Sequence, residues 1–369
     1  MSGLSRWRRP IELAVFGEVP AIFIVLLSWF VAGHGGGWDF AIFRHAGDAV
    51  VHGHSPYVHP TVQVFAADDK FVYPMPYAIP FIPFVALPER VGAVCFVLLA
   101  VGAVLLSVRL LGVRDRRCYG AALLGLPVIG SLALGTIGPF LLLLCAAGWR
   151  YRHHARAGVL LAGAAAAKLF LWPLLVWLLV TRRYRAFAAA VATIGVIVGV
   201  WAGADPSGLR RYPETVRLLN DAQSWKSYSV QTLALSLHGS RHTAALVAWV
   251  VAAAAVAAIV LLRRRGDRAT FAAAICAALI ATPILWMHYL VLLIVPIALA
   301  RPRLAPLWVV PMLLAVTSHP ESLGIVWLIV YDLVVIAVVA VWTIQPDDVR
   351  STESSDVPVG APQLSPAQT

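Results

Sequence analysis

Residues 91–117 read VGAVCFVLLAVGAVLLSVRLLGVRDRR. The apolar part is long enough to cross a bilayer, which takes about 20 residues at about 1.5 Å of rise each. It ends in Arg114, Arg116 and Arg117, the basic flank that marks the cytoplasmic end of a membrane helix. Outward from this stretch the pattern repeats. Arg6, Arg8 and Arg9, then Arg182, Arg183 and Arg185, then Arg263, Arg264 and Arg265 each border an apolar run. Of 369 residues, 60% are hydrophobic and only 13% charged, against roughly 25% charged in a soluble domain. The chain therefore reads as an all-α polytopic membrane protein. Its net charge of +11 is divided among loops instead of gathered on one face, which argues against nucleic acid as a partner.

The arginine clusters set an expected topology. The basic, then apolar, N-terminus resembles a signal peptide, but the many apolar segments that follow favour an uncleaved first helix near residues 15–32. Residues 33–72 are polar and fall outside. The stretch YPMPYAIPFIPFVALPER, residues 73–90, contains five prolines, so it reads as short interfacial helices and not as a span. Outside turns are expected at GTIGP (135–139), near Lys168, at TPILWMH (282–288) and at SHPES (318–322), with a long outside loop over 205–241. The count is about twelve transmembrane segments, some short or broken, with both termini cytoplasmic. Residues 157–181 strain it, being short for two crossings, yet the parity of the basic loops favours a short hairpin there. Residues 1–345 form one transmembrane domain. Residues 346–369, rich in Pro and Ser, read as a disordered cytoplasmic tail. The four cysteines lie in or beside apolar segments without metal-ligand spacing, and read as small core residues.

On this topology the unusual polar residues gather outside. Ionisable groups at membrane depth are costly and mark functional sites. Asp39 follows the first span and opens the sequence WDFAIFRHAGDAV, where Phe40, Phe43, Ala46, Gly47 and Val50 recur at helical spacing. This describes an amphipathic interfacial helix with Asp39 at its N-terminal end, either as a cap or as a general base toward a hydroxyl. Lys168 is one of three lysines, with Lys70 and Lys226, in a chain that otherwise uses arginine. It is a snorkelling side chain or a point-charge phosphate ligand. His288 sits between Trp286 and Tyr289 two and one residues away, either in an aromatic belt or as a hydrogen-bonding or cationic phosphate partner. Arg44 is a further candidate for substrate contacts, and Asp48 and Tyr57, the latter in the turn GHSPY, are candidates from the first loop. His52, His54 and His59 have no carboxylate or cysteine at metal-site spacing, so no metal is expected. No Walker loop, dinucleotide motif or serine or cysteine nucleophile arrangement appears, and no cofactor is expected.

In their order, DFAIFRHAGDAVVHGHSPY, FVYPMPYAIPFIPFVALP, AAAAKLFLWPLLVWLLVTRRYRA and TPILWMHY resemble the GT-C glycosyltransferases. Within them the chain is similar to glycosyltransferase family 87, the polyprenyl-phosphate-mannose-dependent α-mannosyltransferases of actinobacteria. The resemblance implies a GT-C fold and Asp39 as the catalytic base. It places Tyr73 in the family's proline-rich segment, Lys168 at its lysine, and Trp286 and His288 in its signature near the lipid phosphate. Gln231, in VQTL, matches part of a motif near the end of the long loop. The departures are Met75 between the prolines, Thr282 for serine, Thr136 where the family has glutamine, Val230 for asparagine, and a proline that follows Lys168 only at Pro173. The resemblance further implies a polyprenyl-phosphate sugar donor, a glycolipid or lipoglycan acceptor, an outer-face site in a bacterial plasma membrane, and an inverting transfer. An arabinofuranosyl donor is the nearest alternative. A secondary transporter or lipid flippase accounts for hydrophobicity and intramembrane charge about as well, but charges on one face without a repeat favour the enzyme.

Overall fold

The computed structural model describes residues 10–34, 37–67, 69–314 and 325–344. The arginines of residues 6–9, the expected SHPES turn and the expected tail lie outside the described residues. Among the described residues every regular element is helical.

A π-helical turn, Ala14–Glu18, leads into α1 (Val19–His34), and α2 (Trp38–Val51) follows as the expected amphipathic helix, with Phe40, Phe43, Ala46 and Gly47 buried. After α3 (Val62–Ala66), the prolines divide the next stretch into a 3-10 turn, Met75–Phe81, and α4 (Ile82–Val85). The opening stretch becomes α5 (Glu89–Leu110). α6 (Arg116–Leu124) and α7 (Leu126–Leu134) are bent by 60° at Gly125. α8 (Gly138–Arg150) and α9 (Arg156–Ala167) follow, then a 3-10 turn, Leu169–Leu171, and α10 (Pro173–Val180). α11 (Tyr184–Ala204) leads to α12 (Pro206–Gln223) and α13 (Val230–Ser236), so the expected long loop is largely helical. α14 (Arg241–Leu262) and α15 (Asp267–Ile280) precede a 3-10 turn, Met287–Leu293, and α16 (Ile294–Ala300). α17 (Val310–Leu313) and α18 (Ile325–Ile344) complete the series.

The expectation of about twelve segments, some short or broken, divides into long and short helices. Among the described residues, five helices are long and apolar enough to span a bilayer, or six if the bent α6–α7 pair counts as one. Much of the remaining apolar sequence forms helices of 10–17 residues, such as Arg156–Ala167 and Met287–Ala300. Proline and the extended backbone at Lys168 (φ −133°) are what shorten them. The spanning helices present apolar side chains outward, Trp249 at 76% and Leu261 at 75% exposure among them, as a lipid-facing surface does. Inside, α15 (DRATFAAAICAALI) is buried along nearly its whole length, its alanines allowing close helix approach. Gly158 marks the tightest such contact, between α9 and α11. A Cβ there would lie 1.7 Å from the Ala186 carbonyl oxygen.

The arginine loops form two ion-paired clusters. Arg117 pairs with Asp115 at 2.8 Å and with Glu12 at 3.1 Å, and the Leu304 N–H donates to the same Asp115 at 3.0 Å. Arg183 bonds to Asp267 and donates to the Arg152 carbonyl at 2.9 Å. Glu12 stands in the first turn of the helix Pro10–Gly33 and Asp39 follows its far end; the 24 residues of that helix rise about 36 Å at about 1.5 Å per residue. The bundle thus has an arginine end and an Asp39 end.

Candidate active site

Gly37 opens α2. It adopts a left-handed φ of 82°, where an L side chain is disfavoured, and its N–H donates to the Ala133 carbonyl at 2.8 Å. Asp39 is therefore not the cap. It is the second residue of the helix, in the first turn, where the exposed N–H groups of the helix favour a carboxylate. Gly135, also left-handed at φ 69°, fixes the position of this turn. A Cβ on it would sit 2.8 Å from Phe40 Cβ and 3.1 Å from Gly37 Cα, so the GTIGP turn can approach α2 only because it carries glycine.

Asp39 lines a cavity of about 80 Å³ together with Lys70, Tyr73, Lys168, Gln223, Trp286, His288 and Tyr289. Five of the predicted substrate residues, Asp39, Tyr73, Lys168, Trp286 and His288, are thus brought together. Lys168 stands at the break that ends α9. Its Nζ donates to Tyr289 Oη at 2.6 Å and lies 4.5 Å from the ring centroids of both Tyr73 and Tyr289, so two aromatic faces cradle the ammonium. Tyr289 is in turn stacked on Phe170, with centroids 5.0 Å apart. Burial, and then the nearby Lys168 charge, push His288 down to about 3. Of the two roles open from sequence, the hydrogen-bonding one fits this neutral imidazole. The His288 carbonyl accepts from Ser131 Oγ at 3.3 Å, joining the segment to α7. Thr136, in the same neighbourhood, accepts from the Gly138 N–H through Oγ1 at 3.2 Å and starts α8.

Four predicted residues fall elsewhere. Arg44 donates to the carbonyls of Phe84 at 3.2 Å and of Val85 and Leu87 at 3.3 Å. It satisfies the end of α4, where carbonyls lack helical partners, and it does not line the cavity. Asp48 lies 3.5 Å from His52 on the exposed end of α2. Tyr57 donates to the Tyr73 carbonyl at 2.7 Å and stacks on Trp201, supporting a cavity residue from behind. Gln231 is buried in α13. The loop before it holds the TPILW turn: the Tyr228 N–H donates to the Leu285 carbonyl at 2.8 Å, and Ser229 Oγ to the Pro283 carbonyl at 2.7 Å. Lys70, Gln223 and Tyr289 are cavity residues the sequence reading did not place. Only the position of Tyr289 inside the TPILWMHY motif could have signalled one of them.

Comparison with protein families matches glycosyltransferase family 87 over residues 71–296, more than half of the chain. The chain belongs to glycosyltransferase family 87. It is accordingly a glycosyltransferase, and its apolar helices make it a membrane-embedded one. Searches of curated proteins and of solved structures give no match. The family match takes in Tyr73, Lys168, Gln223 and His288 but begins after Asp39. The place of Asp39 in this family 87 site therefore rests on the geometry of α2.

Proposed function

We propose that the chain transfers mannose, with inversion, from a polyprenyl phosphate to a hydroxyl of a glycolipid or lipoglycan at the outer face of a bacterial plasma membrane. The observation that carries this reading is the meeting of a carboxylate, Asp39, with Lys168 and His288 on one small cavity. In the proposed step Asp39 accepts the proton of the acceptor hydroxyl as its oxygen bonds to the anomeric carbon. The bond from that carbon to the phosphate oxygen breaks, and polyprenyl phosphate leaves. Lys168 and the His288 imidazole N–H then face the growing phosphate charge, where fixed cations and donors lower the barrier most.

An apolar cleft supports a lipid-linked donor. It measures about 330 Å³, is lined by Tyr77, Phe81, Phe84, Phe96, Leu99 and Phe140, and shares Phe43 with the Asp39 cavity. An isoprenoid tail lying there would bring its phosphate to Lys168. The arginine loops at the other end of the bundle support the outer-face reading, because such loops favour the cytoplasm.

The test is transfer by the purified protein from polyprenyl-phosphate mannose to a mannosylated phospholipid, with the arabinofuranosyl donor in parallel. Asp39→Asn should lower kcat by about 10²–10⁴-fold, the usual contribution of a general base, with donor binding retained. Equal rates for Asp39→Asn and wild type would remove Asp39 from the mechanism. Transfer of arabinose in preference to mannose would correct the sugar.

A further inference from the structure

We infer that Gln223 is the hydroxyl-recognising group of the Asp39 cavity, its side-chain oxygen accepting a hydrogen bond from a sugar hydroxyl of the substrate. This inference rests on the transfer reaction proposed above. Gln223 is the last residue of α12, 1% exposed, and lines the cavity. Its amide nitrogen donates to the Phe65 carbonyl in α3. That bond fixes the orientation of the amide, because a reversed amide would set two oxygens against each other. Oε1 is then buried and accepts no hydrogen bond among the described residues. A buried acceptor without a donor is costly, and native sites keep such atoms where a ligand or water completes them.

The chemistry of the missing partner is narrow. A carbonyl oxygen can only accept, so it cannot hold a phosphate, and the anion belongs with Lys168. It needs an O–H or N–H donor at hydrogen-bond distance, and the proposed substrates offer sugar hydroxyls. The placement is held from several sides. Asp205 caps α12 by accepting from the Gly208 N–H at 2.8 Å, Tyr212 donates to the Val72 carbonyl at 3.2 Å, and Lys226 donates to the Ala66 carbonyl at 3.2 Å. The residue therefore borders the cavity from a braced helix end, which suits discrimination. A site built to bond a hydroxyl rejects an analogue that lacks it far better than an apolar wall rejects an added group.

The hydroxyl could belong to the transferred sugar or to the acceptor, and two arms separate them. One arm measures kcat/KM with monodeoxy and deoxyfluoro donors, the other with monodeoxy and deoxyfluoro acceptors. At one hydroxyl position, in one arm, wild type should lose about 10- to 100-fold. Fluorine should restore none of that loss, since it cannot donate. Gln223→Met should erase the discrimination at that position alone and leave the others as in wild type. If every penalty is as large in Gln223→Met as in wild type, the inference is overturned. Should Gln223→Met not fold, the wild-type series decides: if fluorine restores rate at every position, no hydroxyl acts as a donor and the inference is overturned. If wild type uses no polyprenyl-phosphate sugar at all, the transfer reading fails and this inference with it, an outcome distinct from active enzyme with additive penalties.

Discussion

At the arginine end, Arg117 is matched to Asp115 and Glu12, and Arg183 to Asp267. At the Asp39 end, Lys168 is placed by a phenol oxygen and two aromatic rings, and Gln223 holds a buried oxygen that accepts nothing. Both ends gather loops from distant parts of the chain, and both carry cations. They differ in what surrounds them. At the arginine end, ion pairs of the protein itself join the chain before α1 to α6, and α11 to α15. The other end adds aromatic rings and short 3-10 turns around a cavity. Irregular backbone at membrane depth is tolerated where it lines such a cavity. The contrast predicts that substitutions at the two ends separate cleanly into losses of turnover and losses of stability.

The largest effect at the Asp39 end after Asp39→Asn belongs to Lys168→Met, which should lower kcat by about 10²–10³-fold while the melting temperature moves little. Lys168→Arg should not restore the rate, because a planar guanidinium does not fit the cradle of Tyr73 and Tyr289. Gly135→Ala comes next. It imposes a strained φ and presses on Phe40, so α2 must shift and carry Asp39 with it. About a tenfold loss of turnover is expected, since small displacements of a catalytic group are costly. His288→Gln should cost about tenfold or less, and it sharpens the pH argument. Burial, and then the Lys168 charge, hold the imidazole down, which favours the neutral form. Any fall in rate between pH 8 and 5 should persist unchanged in His288→Gln. If that fall disappears in the variant, His288 titrates during turnover and its role as a neutral donor is wrong.

Much of this end was legible in sequence, and the reason is local. α2 is amphipathic at a 3.6-residue period, so its buried face and the position of Asp39 follow from FAIFRHAG alone. Lys168 interrupts an alanine run, and the helix ends there. Contacts made across the chain left no such mark. Arg44 looks like a phosphate ligand by type and place, yet three carbonyls some forty residues away take up its donors. Gln223 acquires its position from Phe65, 158 residues earlier, and no periodicity predicts that pairing. Span lengths were hard to read for a related reason. Hydropathy measures length in residues, whereas turns such as Met75–Phe81 and Met287–Leu293 consume apolar sequence without building a full crossing.

Asp115→Asn should have the smallest effect on activity, and it probes the arginine end alone. The hydrogen bond from Arg117, helped by the Leu304 N–H, pulls the Asp115 carboxyl from 3.8 to about 2. A carboxyl with a lower value folded than unfolded contributes stability above its unfolded value, and loses it as pH falls through the folded one. Discounted for solvent screening of a pair this near the surface, the shift corresponds to about 1 kcal/mol, present at neutral pH and lost between about pH 4 and pH 2. Asp115→Asn should therefore lower the melting temperature at pH 7, and its melting temperature should fall less than that of wild type between pH 4 and pH 2. Its kcat/KM at pH 7 should stay within about twofold of wild type, because the ion pair lies a helix length from Asp39. A parallel loss of turnover and stability would show that the arginine cluster positions α2 through α1, and the two ends would then have to be read as one mechanical unit.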